Sequence, residues 1–148
     1  MAERRSSIDI EAAPETVFDL LVTEHGMTSW MGTRASLDPV PGGVFAVDIA
    51  GFRARGSFVE IDRPRRVTVT WGFIESEELP PGTSTVSFEL TRTTGGTRVE
   101  VVHTGLPDGE LPGHADGWAH FLARLLLAAT GGGLPTDTWK PQREGASP

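Results

Sequence analysis

Gly117-Trp118-Ala119-His120-Phe121-Leu122-Ala123-Arg124-Leu125-Leu126-Leu127-Ala128-Ala129 carries the longest helical pattern in the chain. Trp118, Phe121, Leu122, Leu125, Leu126 and Ala129 recur at three-to-four spacing and make one apolar stripe. Asp116, His120 and Arg124, each four residues on from the last, make the opposite polar face. A helix so divided needs an apolar surface to lie on. Gly131-Gly132-Gly133 ends it, and Leu134 to Pro148, rich in Pro, Gly and polar residues, reads as a mobile tail that includes Trp139.

The surface it needs is written upstream with a period of two. Val44 to Ala50, Phe52 to Ile61, Val67 to Ile74, Thr85 to Thr91 and Arg98 to Thr104 read as five strands. Gly51, Arg63-Pro64, Pro80-Pro81-Gly82 and Gly95-Gly96 separate them. Ahead of this meander, Ser7 to Glu11 alternates as a further strand. Pro14 then opens a helix with Val17, Phe18, Leu20 and Leu21 on one face, ending near a left-handed cap at Gly26, and Met27 to Trp30 form a second short helix. The expected fold is α+β, a helix-grip: a curved six-stranded antiparallel sheet wrapped around a long C-terminal helix, with two short helices after the first strand.

Composition bounds the chemistry. The chain has 148 residues, 13 Lys plus Arg against 20 Asp plus Glu, a net charge of −7, and neither Cys nor Tyr. That length suits one domain, here residues 1–130 followed by the tail 131–148. Without cysteine there is no disulfide frame, thiol nucleophile or thiolate metal site. Only Lys140 is a lysine, which excludes Schiff-base chemistry in the folded body. The acidic balance argues against nucleic acid as a partner. No apolar run reaches the ~20 residues of a membrane span, and Met1 to Ser7 has no apolar stretch of the signal type, so the expected setting is cytoplasmic, without membrane insertion.

Several local motifs together carry a resemblance. They are Ile10-Glu11-Ala12-Ala13-Pro14-Glu15-Thr16-Val17-Phe18, Trp30, Gly42-Gly43-Val44-Phe45, Gly56-Ser57-Phe58-Val59-Glu60-Ile61-Asp62-Arg63-Pro64, Val69-Thr70-Trp71 and Gly117-Trp118-Ala119-His120-Phe121-Leu122. In combination they resemble the bacterial members of the activator-of-Hsp90-ATPase-homologue group (AHSA1-like), within the START-like, Bet v 1-like SRPBCC superfamily. These are packing and turn motifs, so they speak for fold more than for activity. The resemblance implies a cavity between sheet and helix. It also implies a chaperone-interacting reading, which the start of the chain a few residues before its first strand weakens, because the eukaryotic cochaperones that resemble this domain carry an additional Hsp90-binding domain.

The candidate residues follow from strand phase. Val99, Val101 and His103 share one face, which points His103 inward as a polar group in an apolar interior. Val67, Val69, Trp71 and Phe73 are in phase, with Trp71 expected opposite Trp118 or Phe121. Phe45, Val47 and Ile49 share the inner face of their strand, leaving Asp48 outside. The expected ligand-binding set is Trp30, Phe45, Val47, Phe58, Trp71, Phe73, Phe88, Val101, His103, Trp118, Phe121 and Leu122. Met27 and Met31 stand at its mouth or form a lid. Each of these also has a plain reading as core packing.

Arg53, Arg55, Arg63, Arg65 and Arg66 form a local basic cluster that reads first as a solvated strand face. No metal is expected: His114 and His120 lie on different helix faces and no His-Glu-x-x-His pattern occurs. No cofactor is expected either. The leading expectation is a non-enzymatic protein, monomer or homodimer, that binds a small apolar ligand, aromatic or lipid-like. The alternative is a cyclase/aromatase- or hydrolase-like enzyme with His103 as acid/base.

Overall fold

The computed structural model describes residues 2–49, 52–77, 79–106 and 111–131, with backbone alone for residues 2, 106 and 111–116. Ten elements follow one another: β1 (Ala2–Ile10), α1 (Pro14–Val22), α2 (Glu24–Thr28), β2 (Arg34–Leu37), β3 (Val44–Ile49), β4 (Phe52–Asp62), β5 (Arg66–Trp71), β6 (Ser84–Arg92), β7 (Thr97–Leu106) and α3 (Leu111–Ala129). The strands form one sheet in the order β1-β7-β6-β5-β4-β3-β2, antiparallel throughout. The first strand thus sits beside the last, and the meander runs outward from there. This α+β arrangement, an antiparallel sheet with a long C-terminal helix, is consistent with a Bet v 1-like fold.

The sheet has seven strands and not six. Arg34-Ala35-Ser36-Leu37 is the added one, an edge strand that pairs only with β3. Four residues, exposed and half-buried in turn, between a glycine and two prolines make no apolar run, so the sequence does not announce it. β1 begins at Ala2, well before Ser7, because Glu3, Arg5, Ser7 and Asp9 are exposed while Arg4, Ser6 and Ile8 are half-buried and Ile10 is buried. β5 stops at Trp71 instead of running to Ile74, and Phe73 makes an isolated bridge to Ala54.

The helix pair also differs from expectation. α1 ends at Val22 because Thr23 is extended and caps α2, accepting a hydrogen bond from the Gly26 amide at 3.0 Å. Gly26 therefore lies inside α2, not at a left-handed cap. A Cβ there would stand 2.7 Å from the Asp19 carbonyl oxygen, so glycine lets the second helix close on the first. His25 falls in the last turn of this second helix.

Buried side chains from the inner face of the sheet, from α1 and from the stripe of α3 form one core. At Gly56 a Cβ would overlap the Thr70 carbonyl, so β4 and β5 approach there more closely than any side chain allows, just before a bulge between Phe58 and Glu60. On the outer surface the basic cluster is dispersed into pairs. Arg53 meets Glu75, Arg55 meets Asp48, Arg63 meets Asp19, Arg65 meets Asp62, and Arg66 lies between Glu60 and Glu89. Among the described residues no helix is long and apolar enough to cross a membrane. The tail with Trp139, Gly51, Pro107-Asp108, and the side chains of His114 and Asp116 lie outside what is described.

Candidate functional site

The interior between sheet and α3 is built from aromatic rings delivered by β3, β4, β5 and β6, by the turn after α2, by the segment after β5 and by α3. Trp30 meets Phe88 edge-on at 6.3 Å between centroids, Phe88 meets Trp118 at 5.7 Å, and Trp118 meets Trp71 at 5.5 Å. From Trp71 the series continues to Phe45 at 5.8 Å and to Phe73 at 5.6 Å, and Phe45 meets Phe58 at 5.7 Å. These separations and tilts are those at which ring quadrupoles attract. Val47, Val101, Phe121 and Leu122 are buried in the same core. Of the two partners expected for Trp71, the structure supplies Trp118, while Phe121 contacts the His120 ring at 5.0 Å.

Met27 and Met31 are buried beside Trp30, whose indole N–H donates to the Leu20 carbonyl at 2.8 Å. The Trp30 carbonyl accepts from Arg124 Nε at 3.1 Å, which ties the helix-pair end to α3.

One line of polar groups crosses this apolar interior. His103 is fully buried on the inner face of β7. Trp118 Nε1, which can only donate, points at His103 Nδ1 from 3.1 Å. Nδ1 is therefore the accepting nitrogen, and the ring proton resides on Nε2, 2.8 Å from Ser84 Oγ. The Ser84 hydroxyl in turn donates to the Trp71 carbonyl at 2.8 Å. Donors and acceptors alternate along the whole line, so His103 is neutral with both ring nitrogens engaged. Such a histidine orients Trp118 and, through Ser84, the end of β5. Ser84 is not among the residues singled out from sequence, although its phase with Val86 and Phe88 places it on the inner face.

Two buried donors stand outside this line. Among the described residues, Trp71 Nε1 and Arg4 Nε have no hydrogen-bond partner. The Trp71 and His103 rings are 6.1 Å apart, and Arg4 is the residue directly opposite His103 in the β1–β7 register. Opposed residues of an antiparallel pair share a face, so Arg4 joins the inner surface beside His103. Reading the first strand only from Ser7 leaves Arg4 out of view, whereas its alternation with Ser6, Ile8 and Ile10 places it.

Asp48 is on the outer face, as the phase of its strand requires. There it pairs with Arg55 at 2.9 Å and, with Arg34, Ala35, Ser36 and Ala46, lines a shallow depression of about 230 Å³. The described carboxyls held below their ordinary range are also at the surface. The Arg53 backbone N–H and then its guanidinium hold Glu75 low, and hydrogen bonding from Arg98 holds Asp9 low. Among the described residues no group of three or more His, Asp or Glu is placed to hold a metal ion.

Comparison with known proteins adds the lineage. No curated protein matches the chain at a significant level. Among solved structures, the AHSA1-like protein of Rhizobium etli is 38% identical over 96% of this chain and 90% of its own, with a TM-score of 0.75. A Mesorhizobium loti protein is 20% identical, covering 90% of this chain and all of its own, with a TM-score of 0.79. The Aha1 dimer of Colwellia psychrerythraea is 22% identical over 87% of this chain and 96% of its own, with a TM-score of 0.76. Residues 11–129, from the turn after β1 to the end of α3, match the family described as activator of Hsp90 ATPase homolog 1-like protein, and it is to this family that the chain belongs.

Proposed function

We propose that the chain binds a small, predominantly apolar molecule between the inner face of the sheet and α3. The guest stacks against Trp71, Trp118 and Phe88 and presents a hydrogen-bond acceptor to the Trp71 indole. The observation that carries this reading is the N–H of Trp71, a residue 3% exposed, which has no partner among the described residues although the nearby His103, Ser84 and Trp118 side chains are hydrogen-bonded to one another. Leaving such a donor unsatisfied costs about 1–3 kcal/mol, which a ligand acceptor would recover. Aromatic walls with a few directed polar groups are the usual make-up of a small-molecule site. In this reading His103 holds the walls in place and moves no proton.

The test compares naphthalene with 2-acetylnaphthalene, which adds one carbonyl acceptor to the same ring. Calorimetry is expected to show tighter binding of the ketone, with a downfield shift of the Trp71 indole proton by NMR. Trp71→Phe is expected to abolish the difference. If neither compound binds, the reading fails. The chain acts as a monomer or a homodimer in this proposal; the dimer of the Colwellia relative supports the second, and light scattering decides it.

A further inference from the structure

We infer that the ligand of this site is an acid, its carboxylate held by Arg4. This rests on the reading that a small molecule enters between sheet and α3, and it names the chemical class of that molecule.

Most described arginines of the sheet are neutralised. Arg5, Arg53, Arg55, Arg66, Arg92 and Arg98 each have a carboxylate within 4 Å. Arg34 faces outward over the depression beside Asp48. Arg4 alone among them lies beside the buried His103, half-buried, with no ion pair among the described residues and with its Nε shielded from solvent and unpartnered. A guanidinium keeps its charge under all ordinary conditions, so burying part of it without a counter-charge is unfavourable unless an anion completes the site.

The described neighbours do not supply that anion. His103 has both ring nitrogens committed, to Ser84 and to Trp118. Ser84 gives its proton to the Trp71 carbonyl. What remains on either side of the histidine is a pair of unmatched donors, Arg4 Nε–H and Trp71 Nε1–H, and among the described residues no buried side-chain acceptor is unmatched. A group that complements donors only, one of them cationic, is an anion with more than one acceptor oxygen. A carboxylate meets the planar guanidinium in its preferred geometry, and the aromatic walls select an apolar body behind it. The inferred ligand is thus an amphipathic monocarboxylic acid.

The experiment extends the same ring series. 2-Naphthoic acid is expected to bind the wild-type protein at least about tenfold more tightly than 2-naphthamide, which has the same shape without the charge. Arg4→Gln is expected to erase that preference while leaving amide binding within about twofold. Arg4→Lys retains part of it, because the charge stays and the fork is lost. Arg5→Gln, one residue along and on the outer face, is expected to change nothing. Equal binding of acid and amide to the wild type overturns the inference, whether or not the Arg4 variants fold. So does an acid preference that survives Arg4→Gln. If 2-acetylnaphthalene binds and the acid shows no advantage, the site stands and the Arg4 assignment falls; if none of the compounds binds, both fall.

Discussion

Trp118 on the long helix gives its indole proton to His103 on the last strand across 3.1 Å, and both side chains are buried. One hydrogen bond therefore fixes a helix against a sheet, and its removal should be felt differently from the removal of any other ring in the interior.

Trp71 and Trp118 make a matched pair for measuring this. They are 3% and 4% exposed and touch each other, so phenylalanine removes similar ring volume from each. Trp118→Phe also strands the His103 Nδ1 acceptor, whereas Trp71→Phe deletes a donor that has no partner among the described residues. Trp118→Phe should destabilise by about 1–3 kcal/mol more than Trp71→Phe in urea unfolding. Equal losses would show that the bond contributes nothing.

Combining Trp118→Phe with His103→Leu should reveal coupling. Once His103 is gone no acceptor is left waiting, so the double variant should lose less than the sum of the singles, by about 0.5–3 kcal/mol. Ser84→Ala is expected to cost about 1–3 kcal/mol by itself, because it leaves the His103 Nε2 proton without its oxygen. Additive behaviour in the cycle would argue against a connected line.

Glycines supply a purely steric contrast. Gly56→Ala must push β4 from the Thr70 carbonyl and is expected to destabilise by about 1–3 kcal/mol. Gly95→Ala meets nothing within 4 Å and should be neutral or stabilising by up to about 1 kcal/mol. Parallel denaturant curves for the two variants check this.

Glu75 carries a pH signature. Its carboxyl is held low, first by the Arg53 backbone N–H at 2.7 Å and also by the Arg53 side chain. A depressed acid contributes stability that is present above its unfolded value, near 4.5, and is lost as pH falls through the lower folded value. Glu75→Gln should therefore cost up to about 1 kcal/mol at pH 7 and progressively less below about pH 4.5, with the two unfolding curves converging in acid. A deficit that stays constant with pH would assign the effect to packing.

How far the sequence could be read depended on where its period was unbroken. The alternation of Val86, Phe88 and Leu90 with that of Val99, Val101 and His103 is continuous, so the inner face of the central strands is legible, His103 included. β2 is not, because an edge strand needs one partner and no apolar run. Arg4 and Ser84 escape for related reasons. Each stands at a strand end where charge or a Pro-Gly loop masks the alternation, and strand ends are where polar groups can be held beside an apolar core. Hydrogen-bond partners lie still further from view: Trp118 meets His103 only because a helix and a strand 15 residues apart in sequence are brought face to face.

The pairing of the first strand with the last gives the molecule a chronology. Ala2 lies opposite Leu106, so β1 is made first and then waits for nearly the entire sheet before it has a neighbour. At roughly 5–20 residues per second that interval is several seconds to about twenty on the ribosome. Long-range closure of this kind also slows folding in solution. The corner in which Arg4 stands opposite His103 is consequently among the last parts of the protein to exist. A compound that binds there would stabilise finished molecules alone, because the unfinished chain has no such corner to offer.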